Sequence, residues 1–323
     1  MNYSLNSYIE LVIKGVSVLG FVAVSAMFLI WLERKVSAKI QNRMGPMMTG
    51  PHGAFQSIAD TVKLLLKENI MPTGADTMVW WLAPFFVTVP PIVAFLCMPF
   101  GEKLIANDLN VGILFICSVT SICVLVIFMA GWGSNNKYSL LGGMRSAAQI
   151  ISYEVPLLLS VLVVIMEAGT MSMQGIVHAQ ETGWFWMKPN MLAAFFIYMI
   201  SATAEVNRVP FDIPEAESEL VAGYHTEYSG MKFAMFFVAE YTNLFIVSAV
   251  AATLFLGGWL GPFHSSVGWF LLKSYAVITF LMWIRWTLPR LRMDQMMSFA
   301  WKILTPIAIV NVLVTGWLLV LKG

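Results

Sequence analysis

The chain of 323 residues is 59% hydrophobic and only 11% charged, and its formal net charge at pH 7 is +1. Soluble domains carry about 25% charged residues, so this composition excludes a water-soluble globular protein, and the small net charge argues against a nucleic-acid partner. The apolar residues fall in blocks of roughly 20, the length that a helix needs to cross a hydrocarbon layer about 30 Å thick. We therefore predict an all-α, polytopic membrane protein.

Eight apolar segments are predicted to be transmembrane helices. In chain order they cover about residues 9–32, 79–99, 109–132, 147–168, 191–205, 231–256, 267–288 and 301–321. The first is expected to stop at the charged triplet Glu33-Arg34-Lys35, and the fifth is short. Neither a repeat nor a low-complexity linker divides the chain, so we predict one integral membrane domain over residues 1–323.

An interfacial segment, residues 34–77, follows the first predicted helix. Within it, Gly53–Glu68 repeats apolar residues at helical spacing on one face and charged residues on another. This pattern is typical of an amphipathic helix that lies in the membrane interface. A surface helix packed against the bundle would show the same periodicity, so both interpretations stay open.

Lysine and arginine are distributed unequally between the predicted loops. The side that holds the loops after the first, third, fifth and seventh helices carries fourteen of these cations, against five on the other side. Because cytoplasmic loops are enriched in Lys and Arg, we predict that both termini face the periplasmic side. The basic group Arg34, Lys35, Lys39 and Arg43 is either such a topology signal, in contact with lipid headgroups, or a docking edge for a soluble partner.

A cytoplasmic loop over residues 206–230, with its flanking helix ends, is unusually acidic. It holds seven of the chain's 18 acidic residues, which are Glu205, Asp212, Glu215, Glu217, Glu219, Glu227 and Glu240. A short helix begun by Pro214 and capped by Asp212 or Ile213 is predicted within this loop. On that helix Glu215 and Glu219 would share one face. The loop is either a solvated helix or an acidic funnel that leads into the membrane.

Two acids lie inside predicted membrane helices. Glu154 follows the start of its helix by seven residues, and Glu240 lies nine residues into its own, about 13 Å along the axis. A carboxylate near a helix centre costs roughly 2.5–3.5 kcal/mol on insertion. A purely structural role would require a partner, and Lys232 lies two turns from Glu240. The alternative is a proton relay, because buried acids can hold a proton near neutral pH.

The three cysteines, Cys97, Cys117 and Cys123, lie inside apolar runs, and their spacing matches neither a zinc nor an iron–sulfur site. The four histidines lie in or near predicted loops, so no helix-buried pair suggests haem. We therefore predict that the chain binds no metal and carries no electron carrier of its own.

Four long motifs resemble one known family. They are ERKVSAKIQNRMGP (Glu33–Pro46), GWGSNNKYSLLGGMRSAAQIISYEVPL (Gly131–Leu157), EVNRVPFDIPEAESELVAGYHTEYSGMKFAMFFVAEY (Glu205–Tyr241) and RWTLPRLRMDQMMSFAWKILTP (Arg285–Pro306). Together, and in this order, they closely resemble the family of the H subunit of proton-pumping NADH:quinone oxidoreductase, respiratory complex I. The resemblance spans essentially the whole chain, although the membrane subunits of related hydrogenases share parts of the pattern.

The resemblance implies a fold, partners and site residues. The family's eight-helix subunit lies in the bacterial inner membrane, between soluble quinone-site and iron–sulfur subunits and small membrane subunits. Quinone is the substrate, and flavin and iron–sulfur clusters belong to other subunits. The positions that match the family's quinone chamber are Glu33, Arg34, Arg43, Asp60 and Lys63. The positions that match its proton-coupling acids are Glu154, Glu205, Asp212, Glu215, Glu217, Glu219, Glu227 and Glu240.

Two other classes of protein fit parts of the pattern. A secondary transporter would also hold carboxylates near the bilayer midplane, but it would show an internal repeat, and it would purify alone or as a homo-oligomer. A passive anchor for a hydrogenase-like soluble arm would leave Glu154 and Glu240 without a role, so their substitution would be silent.

Overall fold

The computed structural model describes residues 5–214 and 221–322, and this part of the chain is helical, without strands. Its α-helices are α1 (Leu5–Ile40), α2 (Gln56–Leu66), α3 (Thr77–Ala94), α4 (Gly112–Gly133), α5 (Lys137–Ala168), α6 (Met173–His178), α7 (Pro189–Glu205), α8 (Gly230–Phe255), α9 (Val267–Thr287), α10 (Met293–Phe299) and α11 (Thr305–Lys322). A π-helical segment, Ala300–Leu304, joins α10 to α11. The all-α, polytopic class predicted from composition is therefore confirmed.

Seven helices within the described part of the chain are long and apolar enough to cross a membrane. They are α1, α3 with its 3₁₀ extension to Cys97, α4, α5, α8, α9 and the continuous run Met293–Leu321. The fifth predicted span corresponds to α7, which has 17 residues and is about 25 Å long. This length lies at the lower limit for a membrane span, so an eighth crossing stays a prediction.

The bundle packs around α8. This helix contacts α9, α3, α1, α2 and α7, and 67% of its apolar window is buried. For comparison, only 22% of the corresponding window of α1 is buried. Because α8 lies inside the bundle, the acid that it carries, Glu240, is surrounded by protein.

The first helix extends further than the sequence predicted. Helix α1 continues through Glu33-Arg34-Lys35 to Ile40, so the predicted end at the charged triplet is wrong. The physical reason is that these charges have protein partners. Glu33 lies on the buried face with its side chain 8% exposed, while Arg34 pairs with Asp60 of α2.

Helix α5 begins ten residues before the predicted start at Ala147. Asn136 caps it by accepting a hydrogen bond from the backbone N–H of Tyr138. The first turns contain small residues that are fully buried rather than solvated. A Cβ on Gly142 would lie only 2.8 Å from the Cα of Gly223. The polar sequence here therefore reflects close helix-to-loop packing, which an apolar count does not detect.

The interfacial helix is present as α2, shorter than predicted at both ends. Its polar side faces the bundle, since Ser57 donates a hydrogen bond to the carbonyl of Met27 over 3.0 Å and Asp60 pairs with Arg34. Its apolar side is exposed, at 48–59% of the accessible area for Phe55, Ile58, Val62 and Leu65. An outward apolar face supports the interfacial interpretation over packing against the bundle.

Candidate functional site

Arg208 occupies the centre of a buried charge cluster. It lies in the turn after α7 with its side chain 5% exposed. Its Nη1 donates to both carboxylate oxygens of Glu33, over 2.8 and 3.0 Å, and its Nη2 lies 2.9 Å from Oε1 of Glu240. Arg285 of α9 also pairs with Glu33. One guanidinium therefore bridges carboxylates from α1 and α8.

Neighbouring carboxylates stabilise the charged form of Arg208. Burial disfavours a charged guanidinium, but the carboxylates of Glu240 and Glu33 outweigh that cost and raise the pKa of Arg208 above its ordinary value. The ring of Tyr241 lies 5.0 Å from the guanidinium carbon, at a cation–π distance. The cluster is thus held together by Coulomb attraction in a region of low dielectric constant.

The turn that carries Arg208 is fixed by a buried amide. Gln149 of α5 is fully buried, and its Nε2 donates to the carbonyls of Ala204 and Phe211, each over 2.7 Å. It also lies 3.1 Å from Oδ1 of Asn207, a residue in the left-handed region at φ 52°. These bonds anchor both ends of the turn to α5.

The partner that the sequence suggested for Glu240 is wrong. The ammonium of Lys232 lies 3.1 Å and 3.2 Å from the ring centroids of Trp80 and Trp81 on α3. Two turns of α8 separate Lys232 from Glu240, so the two side chains leave the helix at different depths. The partner of Glu240 is instead Arg208, which comes from another element.

A second group of acids lies between α4, α5 and α7. Ser121 of α4 donates a hydrogen bond to Glu154 of α5. Glu205, the last residue of α7, lines the same cavity as Thr120 of α4 and lies near enough to Glu154 for the two charges to interact. Two adjacent hydroxyl residues of α4 therefore lie beside two acids from different helices.

A cavity connects the two groups. It has a volume of about 40 Å³, and Glu205, Glu240, Asn207 and Asn243 are among the residues that line it. One water needs roughly 10–15 Å³ of such space and two to four polar partners. The cavity therefore has room for water between the carboxylates. Oδ1 of Asn243 has no hydrogen-bond partner among the described residues and can accept a bond from such a water.

The acidic loop is only partly described. Asp212 is mostly buried and pairs with Arg290 over 3.1 Å; burial raises the pKa of Asp212, and the nearby guanidinium of Arg290 only partly offsets this effect. Glu227 accepts a hydrogen bond from Nδ2 of Asn136 over 2.5 Å. The predicted short helix and its acids lie outside the described residues, which include neither Glu215, Glu217 nor Glu219.

Aromatic rings surround the histidine of this loop. His225 is 9% exposed, with ring centroids 5.4 Å from Phe233 and 6.3 Å from Phe237. Burial lowers the pKa of His225 to about 4. The imidazole is therefore neutral at physiological pH.

The residues matched to the quinone chamber divide into two places. Glu33 lies inside the Arg208 cluster, where the same guanidinium also contacts Glu240. Arg34 and Asp60 form an ion pair over 2.6 Å between α1 and α2. Arg43 and Lys63 are exposed, and Arg43 donates to the side chain of Gln41.

Several residues of the site could not be predicted from the sequence as site residues. They are Arg208, Arg285, Gln149, Thr120, Ser121, Asn207 and Asn243. One usable signal was present, since Arg208 follows Glu205 by three residues and is one of only two cations in an acidic stretch. The hydroxyl and amide residues carried no such signal, because serine, threonine and asparagine occur in apolar helices for many reasons.

A helical bundle of membrane-spanning length, with buried carboxylates and an arginine bridge, defines a polytopic membrane protein with an intramembrane charged site. A family model described as NADH dehydrogenase matches residues 13–316. The H subunit of NADH-quinone oxidoreductase from Dehalococcoides mccartyi strain CBDB1 is 51% identical over 310 residues, which cover 96% of this chain and 87% of the relative. The proteins of the same name from Carboxydothermus hydrogenoformans and Phocaeicola vulgatus are 49% and 48% identical, over 94% and 97% of this chain and 87% and 92% of the relatives.

The chain belongs to the family of NADH-quinone oxidoreductase H subunits. It is therefore a subunit of an oxidoreductase complex and not an enzyme by itself.

Proposed function

We propose that this chain forms the quinone chamber of a complex I and couples quinone reduction to proton translocation through its carboxylates. The observation that carries the proposal is the series of acids that runs from Glu33 through Arg208 to Glu240, and across a cavity to Glu205 and Glu154. Acids inside a membrane domain are costly unless they have partners or a function. Here consecutive acids share a cation, a cavity or a charge interaction.

Arg208 can transmit a change of charge between its two carboxylates. While both are ionised, its guanidinium is attracted to both at hydrogen-bonding distances. When Glu240 takes up a proton, the attraction on that side weakens and Arg208 remains bound to Glu33 alone. A proton that reaches one acid thus alters the environment of the other, which lies on a different helix.

The cavity provides the next step toward the membrane interior. Water between Glu240 and Glu205 would carry a proton by hydrogen-bond exchange, with Asn207 and Asn243 as fixed polar partners. From Glu205 the charge interaction with Glu154 continues the series into α5. We propose that Asp212 and Glu227, with the acids of the loop outside the described residues, supply protons from the cytoplasmic side.

We propose that the entrance of the quinone chamber lies at α1 and α2. The exposed apolar face of α2 fits contact with the isoprenoid tail of a quinone at the membrane interface. The ion pair between Arg34 and Asp60 fixes α2 on α1, and we propose that Arg43 and Lys63 border the same entrance. Glu33, on the buried side of α1, then connects the chamber to the coupling acids.

The proposal extends to cofactors, partners and orientation. We propose that the chain binds no cofactor of its own, that quinone is the substrate, and that flavin and iron–sulfur clusters lie in partner subunits. The partners are the soluble quinone-site and iron–sulfur subunits and the small membrane subunits. The single integral membrane domain lies in a bacterial inner membrane with both termini on the periplasmic side.

Replacing Glu240 by Gln tests the coupling role. The variant removes a proton-carrying group and keeps the shape of the side chain. We expect quinone reduction by NADH to fall at least tenfold in membranes that carry the variant complex, a loss of about 1.4 kcal/mol in transition-state stabilisation. NADH oxidation by an artificial hydrophilic acceptor should stay unchanged, because electrons then leave before the membrane arm.

Glu181→Gln is the matched control. Glu181 is exposed at 57% of its side chain and lies in the loop before α7, away from the series of acids. Both activities should therefore stay at wild-type levels in that variant. Unchanged quinone reduction in Glu240→Gln would contradict the coupling role and favour a passive anchor.

A further inference from the structure

Lys232 holds a buried ammonium group that the proposed proton route does not use. It lies in the first turn of α8 and is 4% exposed, and its Nζ has no hydrogen-bond partner within the described part of the chain. The indole rings of Trp80 and Trp81 lie against the ammonium instead, with centroids 3.1 and 3.2 Å away. The two rings are nearly perpendicular, at 84°, and form a corner around Nζ. Aromatic faces stabilise a cation in such a position.

The ammonium lies at one end of the seam between α3 and α8, and the cavity that joins the coupling acids lies further along the same seam. Lys232 and Trp80 are each in the first turn of their helix, so the two helices begin at the same end of the bundle and run in parallel. The residues seven and eleven positions further along line the cavity; they are Val87 and Pro91 on α3, and Ala239 and Asn243 on α8. Seven residues of helix rise about 10 Å. The ammonium therefore lies between the cavity and the membrane surface that we propose faces the cytoplasm.

Packed aromatic rings fill the space between the ammonium and the cavity. Tyr228 stacks on Trp80 with ring centroids 5.4 Å apart, and Phe236, which lines the cavity, packs against Tyr228 at 4.8 Å. All three rings belong to one buried apolar cluster with Val87 and Ala239. A methionine has a length similar to that of lysine and would avoid the cost of burying a charge. Packing alone therefore does not account for a cation at this position.

We propose that Lys232 is an electrostatic barrier that keeps protons in the cavity from returning to the cytoplasm through the seam between α3 and α8. This role rests on the proposed function, in which Glu240 and Glu205 carry protons beside the cavity. A hydrated proton that moves along the seam passes the ammonium, and like charges repel. At about 4 Å and an effective dielectric constant near 20, the repulsion slows this passage about a thousandfold. Fixed cations exclude protons from water-filled pores in the same way.

Proton pumping by the intact complex in sealed vesicles tests the barrier. The complex is reconstituted into liposomes that contain a quinone and a trapped pH-sensitive dye, and NADH is added outside. The initial rates of lumen acidification and of NADH oxidation are measured together, and their ratio gives the protons translocated per NADH. In Lys232→Met the return of protons competes with forward transfer, so this ratio should fall at least about twofold. Quinone reduction in the presence of an uncoupler should stay at the wild-type rate, because Lys232 contacts neither carboxylate of the site.

Matched variants isolate the effect of the charge. Lys232→Arg keeps a cation that can stack on the two indole rings, and it should keep the wild-type ratio. Lys137→Met removes an exposed cation from the first turn of α5 and should also keep it. Lys232→Gln is a second neutral variant and should show the lowered ratio, so the test stands even if Lys232→Met reduces the yield of intact complex.

Two results would overturn the barrier alone. A wild-type ratio in both neutral variants, together with loss of quinone reduction in Glu240→Gln, would mean that the aromatic cluster blocks the seam without the charge, and it would leave the proposed function standing. An equal fall of the ratio in Lys232→Arg and Lys232→Met would mean that the shape of the lysine matters and its charge does not. Full quinone reduction in Glu240→Gln would instead overturn the proposed function, and the barrier with it.

Discussion

Removal of the Arg208 guanidinium is expected to destabilise the site more than removal of both Arg208 and the Glu240 charge. Arg208→Met deletes two contacts with Glu33, at 2.8 and 3.0 Å, and one with Glu240, at 2.9 Å. The two acids are only 8% and 20% exposed, so solvent screens them little. Breaking a buried ion pair by removing one partner costs about 3–5 kcal/mol, and we expect a loss of that size.

The double variant Arg208→Met/Glu240→Gln separates lost attraction from uncompensated charge. Replacing a buried pair by neutral groups of similar volume is often close to neutral. Glu33 keeps its pair with Arg285 in both variants. We therefore expect the double variant to recover about 2 kcal/mol of the loss, although Glu33 still lacks its bonds to Arg208.

The assay is the thermal inactivation midpoint of the detergent-purified complex, with the yield of intact complex as a second measure. The expected order of stability is wild type, then the double variant, then Arg208→Met. Arg208→Lys should lie between wild type and Arg208→Met, because an ammonium cannot bridge two carboxylates as a planar guanidinium does. Equal stability of Arg208→Met and the double variant would refute the idea that Arg208 and Glu240 are energetically coupled.

Two further variants test the support of the site and the buried histidine. Gln149→Leu removes the Nε2 donor from the carbonyls of Phe211 and Ala204, although Ala204 keeps its bond from the backbone N–H of Asn207. We expect a cost of about 1–3 kcal/mol, whereas Gln174→Leu at a less buried amide should change the inactivation midpoint little. Equal midpoints would contradict the anchoring role. His225 is neutral in the folded protein, where its pKa is about 4, compared with about 6.5 in the unfolded chain. As the pH falls below about 6.5 the unfolded chain therefore binds a proton that the folded protein does not. The stability of the fold decreases until the pH reaches about 4. At pH 5.5 the loss of stability is about 1.4 kcal/mol relative to pH 7.5. The variant His225→Phe should lack this part of the acid sensitivity. An equal loss of stability in the variant and the wild type would show that His225 is not its source.

Composition was sufficient to predict the class of fold, because the hydrophobic effect acts on whole segments. Apolar runs of about 20 residues predicted the regions of α3, α4, α8 and α9. The helix ends were harder to predict. At Glu33 and in the first turns of α5, polar residues face protein partners instead of water, and whether a polar side chain has a partner is decided by residues distant in the chain.

The dependence on residues distant in the chain also explains why the partner of Glu240 was predicted wrongly. Within one helix the nearest cation by sequence is Lys232, but two tryptophans of α3 bind its ammonium. The actual cation, Arg208, comes from a turn whose direction depends on Gln149 of another helix. Such a contact requires the packing of three elements, and periodicity within a single helix carries no information about it.

Glu33 links the residues matched to the quinone chamber to those matched to the coupling acids. By motif, Glu33 belongs with the quinone chamber and Glu240 with the coupling acids, yet Arg208 contacts both carboxylates within 3.0 Å. Charges this close interact strongly in a buried site, so neither acid can change its charge without affecting the other. If quinone reduction draws a proton from the Glu33 side, the guanidinium is the element through which Glu240 responds. A chamber and a coupling route that share one arginine are physically a single site, and substitutions at either acid should therefore be non-additive.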